Sequence, residues 1–515
     1  MRAAGFGAPF DYGAVVLCAA AGSHEFVALD WVQLEHTSDF LALVEHFLPE
    51  PFAVFLDSAA SDSAHAHCSI LAVGPARVLT AWSITGDALG EADLELREWE
   101  GQRFGAPSRV RRQRGRAFEE LDRQLQAWSL PPALREALPE LPFIGGAIGF
   151  ASYDAGRFLE RLPERAQRDV AVPEYCWLFA DAVFVHEHAS RVTRLVVTGR
   201  GPNAEHARDA ASQLLGTFRT RLSAAPPAHD LGTPRVGPVR AYADDAVYAD
   251  TVRAVQARLL AGDVFEVSVA HRMSVDYAGH PWPLYRALRA ISPAAFACYA
   301  VTPWLSLLSS SPERFLALDR AGNAESRPIK GTRPRGATAA QDAQLRAALA
   351  SSEKDRAENI MIVDLVRNDF GRVCEIDSVH VPELMIVERH PRVFHLVSTV
   401  RGRLAAGQGA VQLFTACFPP GSMTGAPKIE AMKTIDALEP YRRNIYAGAV
   451  GYFDVRGSLD FSVVIRSFVI CGEQCHFSVG GAVVVDSDPY EEYRETMDKA
   501  RALIEALGQV RSASS

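Results

Sequence analysis

The sequence has no run of about 18 uninterrupted apolar residues, which excludes a membrane-spanning helix of the usual kind. It has no basic cluster either. With 53 basic residues against 62 acidic ones the formal net charge is -9, so there is no electrostatic footprint for nucleic acid. A protein of this balance that binds an anion must gather its positive groups in one place. A cysteine framework is also missing. Eight cysteines (Cys18, Cys68, Cys176, Cys298, Cys374, Cys417, Cys471, Cys475) are scattered through 515 residues. That pattern reads as free thiols in a reducing, cytoplasmic setting. Cys471 and Cys475 are the nearest pair, but no second ligand pair accompanies them for zinc. The first 22 residues carry one arginine and an apolar run broken by glycine and proline, a poorly formed leader. What remains, 48% hydrophobic and 22% charged, suits several modest domains or one large two-lobed unit.

Along the chain, residues 1–222 alternate strand-like runs, such as 51–58 and 176–186, with helical stretches at 116–128 and 204–222. That half reads as α+β. Residues 223–240 (SAAPPAHDLGTPRVGPVR) hold four prolines and no apolar period, which predicts a linker or long surface loop. Residues 241–507 are the denser half, and 508–515 read as a disordered tail. Strands are predicted at 264–274, 304–308, 447–453, 462–470 and 476–486. Tight turns at 454–457 and 472–474 join the last three, which implies antiparallel sheet.

Several residues of the second half could carry chemistry. On a helix over 490–507, Tyr493, Met497, Ala500 and Ile504 form an apolar stripe, while Glu492, Glu495 and Lys499 share a different face. Such a face can hold a hard divalent cation beside a positive charge; the plain alternative is a solvated face with a Glu–Lys pair. Glu358 stands just ahead of the apolar run 360–363. It is a second candidate ligand, or else a first-turn carboxylate favoured by the helix dipole after Ser351 or Ser352. Lys330, in SRPIKGTRPRG (326–336), is predicted to be a partly desolvated amine of lowered pKa and hence a nucleophile, against the alternative of a surface-loop lysine. Gly480 and Gly481 interrupt a β-branched strand, implying a bulge or close backbone approach to a ligand. Arg466, a charge among apolar neighbours, must face solvent or an anion.

With these residues in place, the chain resembles the chorismate-utilising enzymes, which include the large chains of anthranilate, aminodeoxychorismate, isochorismate and salicylate synthases. The matching stretches are SSPERF (310–315), PIKGTRPRG (328–336), EKDRAENIMIVDLVRNDFGRV (353–373), HLVSTVRG (395–402), FPPGSMTGAPK (418–428), YAGAVGYFD (446–454), SVVIRSF (462–468) and EEYRETMDKA (491–500). A looser likeness extends to 51–59 and 144–160. The resemblance implies an α+β fold with two layered antiparallel sheets, outer helices and the active site between them. It implies that Glu358 and Glu495, with Glu492 nearby, hold Mg²⁺ against the ring carboxylate of chorismate. Arg466 and the backbone of Gly480 and Gly481 would take the enolpyruvyl carboxylate, and Lys499 would lie near the ring carboxylate. Glu313 would protonate the departing C4 hydroxyl, with His395, Thr399 and Tyr452 in the same pocket.

Lys330 decides between branches of the family. Anthranilate and isochorismate synthases resemble PIAGT in this loop, whereas aminodeoxychorismate synthases resemble PIKGT. The lysine implies amination at C4, giving 4-amino-4-deoxychorismate on the way to 4-aminobenzoate and folate. Anthranilate synthase, or an aminating relative of specialised metabolism, is the alternative. Isochorismate and salicylate synthases carry a water-activating lysine in the strand matching GDVFEVSVAHR (262–272), where this chain has Glu266. Aminating relatives look like YQVN there, so Glu266 departs from that pattern too; a carboxylate beside an anionic substrate is expected to be protonated or paired with Lys330, which would shift both pKa values. No stretch resembles a nucleophilic-cysteine glutaminase, so ammonia is expected from a glutamine amidotransferase partner. Some relatives bind tryptophan in the amino-terminal half, and FLDSA (55–59) is the stretch where such a pocket is expected.

Overall fold

Side chains alternating along the strands sort the chain into two sheets in the computed structural model, which describes residues 10–11, 17–20, 25–34, 39–60, 66–84, 89–101, 103–224, 231–390 and 393–512. Along 53–57, for example, Ala53 and Phe55 join a core under the outer helices while Val54 joins the core between the sheets. One sheet runs through strands 26–34, 192–201, 182–187, 68–73, 53–57, 296–301, 306–311, 467–471, 474–483 and 266–278. The other runs through 329–334, 393–403, 323–326, 314–318, 459–463, 449–454, 146–151, 175–180, 77–83, 91–98 and 109–116. Neighbours pair antiparallel, as expected.

The core between the sheets is apolar and includes Val54, Ile70, Ile148, Phe150, Leu178, Val183, Leu307 and Val450. Helices Phe40–His46, Ala204–Ser223, Trp282–Ile291 and Pro489–Ser512 cover the outer face of the first sheet. Helices Ala117–Trp128, Glu353–Gly371 and Ala410–Cys417 cover the second. None of the described helices is long and apolar enough to cross a membrane.

Two single strands of the sequence reading are each two strands. The run 176–186 divides at Asp181 into Tyr175–Ala180 of the second sheet and Ala182–Glu187 of the first. The run 462–470 divides at Arg466, whose φ of 53° breaks the extended backbone, into Leu459–Val463 and Ser467–Cys471. Hydrophobic alternation continues through both crossovers because each strand faces a core, so the pattern hides the break. Nor is 223–240 a boundary of the sheets: strands of the first half sit beside strands of the second in both. Within that segment, the described residues include two short strands, Arg235–Val236 and Arg240–Ala241, that edge the strand Glu266–Ala278. The expected tail is helical as far as Ser512.

Candidate active site

Lys330 lies on the strand Ile329–Pro334, with its ammonium 2.6 Å from Glu266 Oε1 and 4.0 Å from Glu358 Oε2. Its side chain is 8% exposed and that of Glu266 0%. Burial alone would lower the lysine pKa, but Glu266, Glu358 and Glu313 together outweigh it and raise the pKa. The expected lowered pKa is therefore corrected: the amine is desolvated, but three carboxylates hold its proton. The neighbouring Gly331, at φ 86°, lets the strand turn at this point.

Glu313 follows the strand Ser306–Ser311 and is buried. Burial pushes its carboxyl up to about 7, against a Ser422 hydrogen bond and the charge of Lys330. Glu358 sits a turn and a half into its helix and is buried too. Ser352 caps that helix, and Glu353 and Asp355 are the first-turn acids, so the helix-dipole reading does not account for Glu358. Burial moves it up to about 7, with Lys330 opposing and Glu266 reinforcing the shift.

The carboxy-terminal helix brings the second set of groups. Glu492 is 2% exposed; its Oε1 accepts from Lys354 at 2.7 Å and from Ser487 at 2.7 Å, and its Oε2 is buried without a partner. A Cβ on Gly481 would stand 2.9 Å from that Oε2, so a larger residue there would push the carboxylate aside. The pairing of strands 266–278 and 474–483 runs unshifted past both glycines, which rules out a bulge there. Gly480 instead allows close approach to the Val269 carbonyl, and its own carbonyl accepts from Lys499 at 2.8 Å. Lys499 also pairs with the half-exposed Glu495 at 2.8 Å and, as the largest influence on it, lowers the Glu495 pKa. Arg466 donates to the Lys499 carbonyl at 3.3 Å, and among the described residues no carboxylate forms an ion pair with it. Its guanidinium fork could take an anion.

Glu358, Glu492 and Glu495 offer the oxygen donors that a hard divalent cation takes, and the orphaned Glu492 Oε2 is an atom that such an ion would satisfy. Among the described residues, no three carboxylates, imidazoles or thiols converge closely enough to hold a metal as they stand. Lys354 bridges the gap, 2.7 Å from Glu492 and 3.8 Å from Glu358.

His395 is buried on the strand Val393–Arg403, with Nδ1 2.9 Å from the Thr332 hydroxyl. Burial, then His390 and Arg466, push its pKa down to about 3, so the ring is neutral at pH 7. Two expected pocket residues are engaged elsewhere. The Thr399 hydroxyl donates to Glu383 at 2.7 Å and accepts from Arg327 at 2.9 Å. Tyr452 packs on Phe143 at 4.8 Å between ring centres and lines a second cavity of about 1070 Å³. That cavity also holds Leu56, Asp57 and Ser58, so the FLDSA stretch lies at a pocket. The tyrosine within electrostatic reach of Arg466 is Tyr446, six residues earlier in the same motif. Both tyrosines of YAGAVGYFD are buried, and only the turn before the strand Ala449–Asp454 separates the one near Arg466 from the one the sequence reading named. Sequence reasoning also missed Lys354 and Ser422, although both lie inside motifs it had singled out.

The family model described as chorismate binding enzyme matches residues 86–505. Aminodeoxychorismate synthase component 1 of Klebsiella aerogenes is 38% identical over 460 residues, 89% of this chain and 94% of that protein. Anthranilate synthase component 1 of Thermus thermophilus is 38% identical over 375 residues, 72% and 79% of the two chains. The chain spans 52% and 55% of the length of two Streptomyces relatives named aminodeoxychorismate synthase. Among solved structures, anthranilate synthase component I of Streptococcus pneumoniae superposes with a TM-score of 0.69 at 27% identity, covering 86% of this chain and 93% of that one. Two layered antiparallel sheets, motifs in order and a match over most of the length make this chain a member of the chorismate-binding enzyme family.

Proposed function

We propose that this chain is the chorismate-converting subunit of a 4-amino-4-deoxychorismate synthase, using Mg²⁺ and ammonia delivered by a glutamine amidotransferase. The observation that carries the reading is Lys330. Its amine lies buried among Glu266, Glu313 and Glu358, where relatives with PIAGT would present only a methyl group. Relatives named for both aminations match at similar identity, so overall similarity does not choose between them. The lysine favours C4. Eight free cysteines support a reducing, cytoplasmic setting.

In this reading Arg466 pairs with the enolpyruvyl carboxylate and Lys499 lies near the ring carboxylate, as charge-assisted hydrogen bonds favour. Glu358, Glu492 and Glu495 would hold the Mg²⁺, which would supply positive charge to neutralise the ring carboxylate. Glu266, 2.6 Å from Lys330, is placed to accept the proton that the amine must lose. The neutral amine attacks C2, the double bond shifts, and the C4–oxygen bond breaks as Glu313 protonates the leaving oxygen to water. A carboxyl with a pKa near 7 is about half protonated at neutral pH, whereas an ordinary carboxyl is almost fully ionised. Ammonia then attacks C4, the double bond returns, and the C2–nitrogen bond breaks to restore Lys330. Chorismate and ammonia become 4-amino-4-deoxychorismate and water. The expected tryptophan pocket would be the cavity at Leu56–Ser58.

The test is to incubate the purified chain with chorismate, Mg²⁺ and ammonium, and to resolve products with and without an aminodeoxychorismate lyase. The expected result is an intermediate that only the lyase converts to 4-aminobenzoate. Anthranilate or isochorismate as product would refute amination at C4.

A further inference from the structure

We infer that Lys354 is a tethered counter-cation: it holds the acidic cluster together while no metal is bound and is displaced by the divalent cation. The inference rests on the reading of Glu358, Glu492 and Glu495 as metal ligands. Lys354 lies at the start of the helix Glu353–Gly371, one turn before Glu358, so its stem reaches along the helix to that carboxylate. Its ammonium spans to the carboxy-terminal helix, 2.7 Å from Glu492 Oε1 and 3.8 Å from Glu358 Oε1.

Without that charge, Glu492 at 2% exposure would be a buried carboxylate whose named contacts are reduced to the Ser487 hydroxyl, an arrangement that disfavours its ionised form. The other nearby cations have different anchors. Lys330 is locked onto Glu266, and Lys499 is shared between Glu495 and the Gly480 carbonyl. Lys354 alone of the three has a side chain 45% exposed, on a flexible stem with an open path to solvent. A Mg²⁺ ion sits roughly 2.0–2.1 Å from its oxygens and excludes an ammonium from the same carboxylate edge, both by size and by like charge. Metal entry therefore requires Lys354 to swing outward. That movement frees Glu492 and Glu358 to close on the ion.

The two possible roles of Lys354 predict opposite signs. A displaced competitor weakens metal binding, so its removal strengthens it; a scaffold that merely orients Glu492 strengthens binding, so its removal weakens it. Titration of the substrate-free chain with Mg²⁺ alone, followed by calorimetry, reads the sign. Lys354→Ala and Lys354→Gln are expected to bind Mg²⁺ about tenfold more tightly than wild type. Each should melt at a lower temperature than wild type without metal, and the deficit should vanish at saturating Mg²⁺. Lys354→Arg, which keeps the charge, should behave as wild type. The glutamine variant, isosteric in most of its stem, guards against a folding failure of the alanine variant. Unchanged or weaker binding in folded variants overturns the inference while leaving the metal site standing. No binding by the wild-type chain overturns the metal site as well.

Discussion

Replacing Lys330 with alanine tests more than the nucleophile. The pair it breaks is 2.6 Å long, with side-chain exposures of 8% and 0%, so Glu266 would be left a buried carboxylate without its cation. One of its oxygens lacks a partner already. Removing one member of such a pair costs about 3–5 kcal/mol, mostly as the penalty of the charge left behind. Against a total stability of roughly 5–15 kcal/mol, that loss alone can empty the folded state at assay temperature. An inactive Lys330→Ala enzyme therefore says nothing by itself about a covalent amine. The double variant Lys330→Ala with Glu266→Gln removes the orphan charge and is expected to recover more than half of the lost stability. It should remain inactive in forming aminodeoxychorismate. Urea unfolding followed by far-ultraviolet circular dichroism at pH 7.5 gives the stabilities, and chromatography gives the product. If Lys330→Ala is as stable as wild type, or if adding Glu266→Gln restores nothing, the buried pair is not what the geometry makes it.

Glu313 carries a pKa raised by burial from 4.5 to about 7, so the folded chain keeps a proton that the unfolded chain has released. Stability is therefore lost as pH rises from about 4.5 to 7 and stays lower above it. Glu313→Gln cannot ionise, and relative to wild type it should gain about 3 kcal/mol between pH 4 and pH 8.5 in urea unfolding while forming no product. A difference that is flat with pH would refute the assignment. Gly481→Ala puts a methyl 2.9 Å from Glu492 Oε2 and should displace that carboxylate. The expected outcome is Mg²⁺ binding at least tenfold weaker by calorimetry, with the circular dichroism spectrum unchanged; unaltered affinity would remove Glu492 from the ligand set.

Much of the site was legible because its chemistry sits in contiguous motifs. Glu358 appears as a charge just ahead of an apolar run, Lys330 and Glu492 lie within contiguous family-like motifs, and the structure brings all three around one cluster. The fold class was legible for a similar reason, since alternation and tight turns signal antiparallel strands. What stayed hidden depends on contacts remote in sequence. The pairing of Glu266 with Lys330 was open to the sequence, but the sign of the lysine shift was not, because it depends on how Glu266, Glu358 and Glu313, from separate segments, together weigh against burial. Arg466 was read as a residue within a strand, whereas its left-handed backbone makes it the corner at which the chain changes sheets. Thr399 was expected in the pocket, but its hydroxyl is committed to Arg327 and Glu383, two residues that no local pattern connects to it.

The interleaving of the two halves within both sheets also has a cost during synthesis. The strand Ala53–Asp57 must wait for Phe296–Val301, and Gly146–Ala151 must wait for Ala449–Asp454. At roughly 5–20 residues per second on the ribosome, each waits on the order of tens of seconds with one edge unpaired. The first half therefore emerges as a nascent chain with two apolar strands open to the wrong partners. Truncation after residue 240 would fix that state permanently, yielding an aggregating fragment rather than a smaller folded protein.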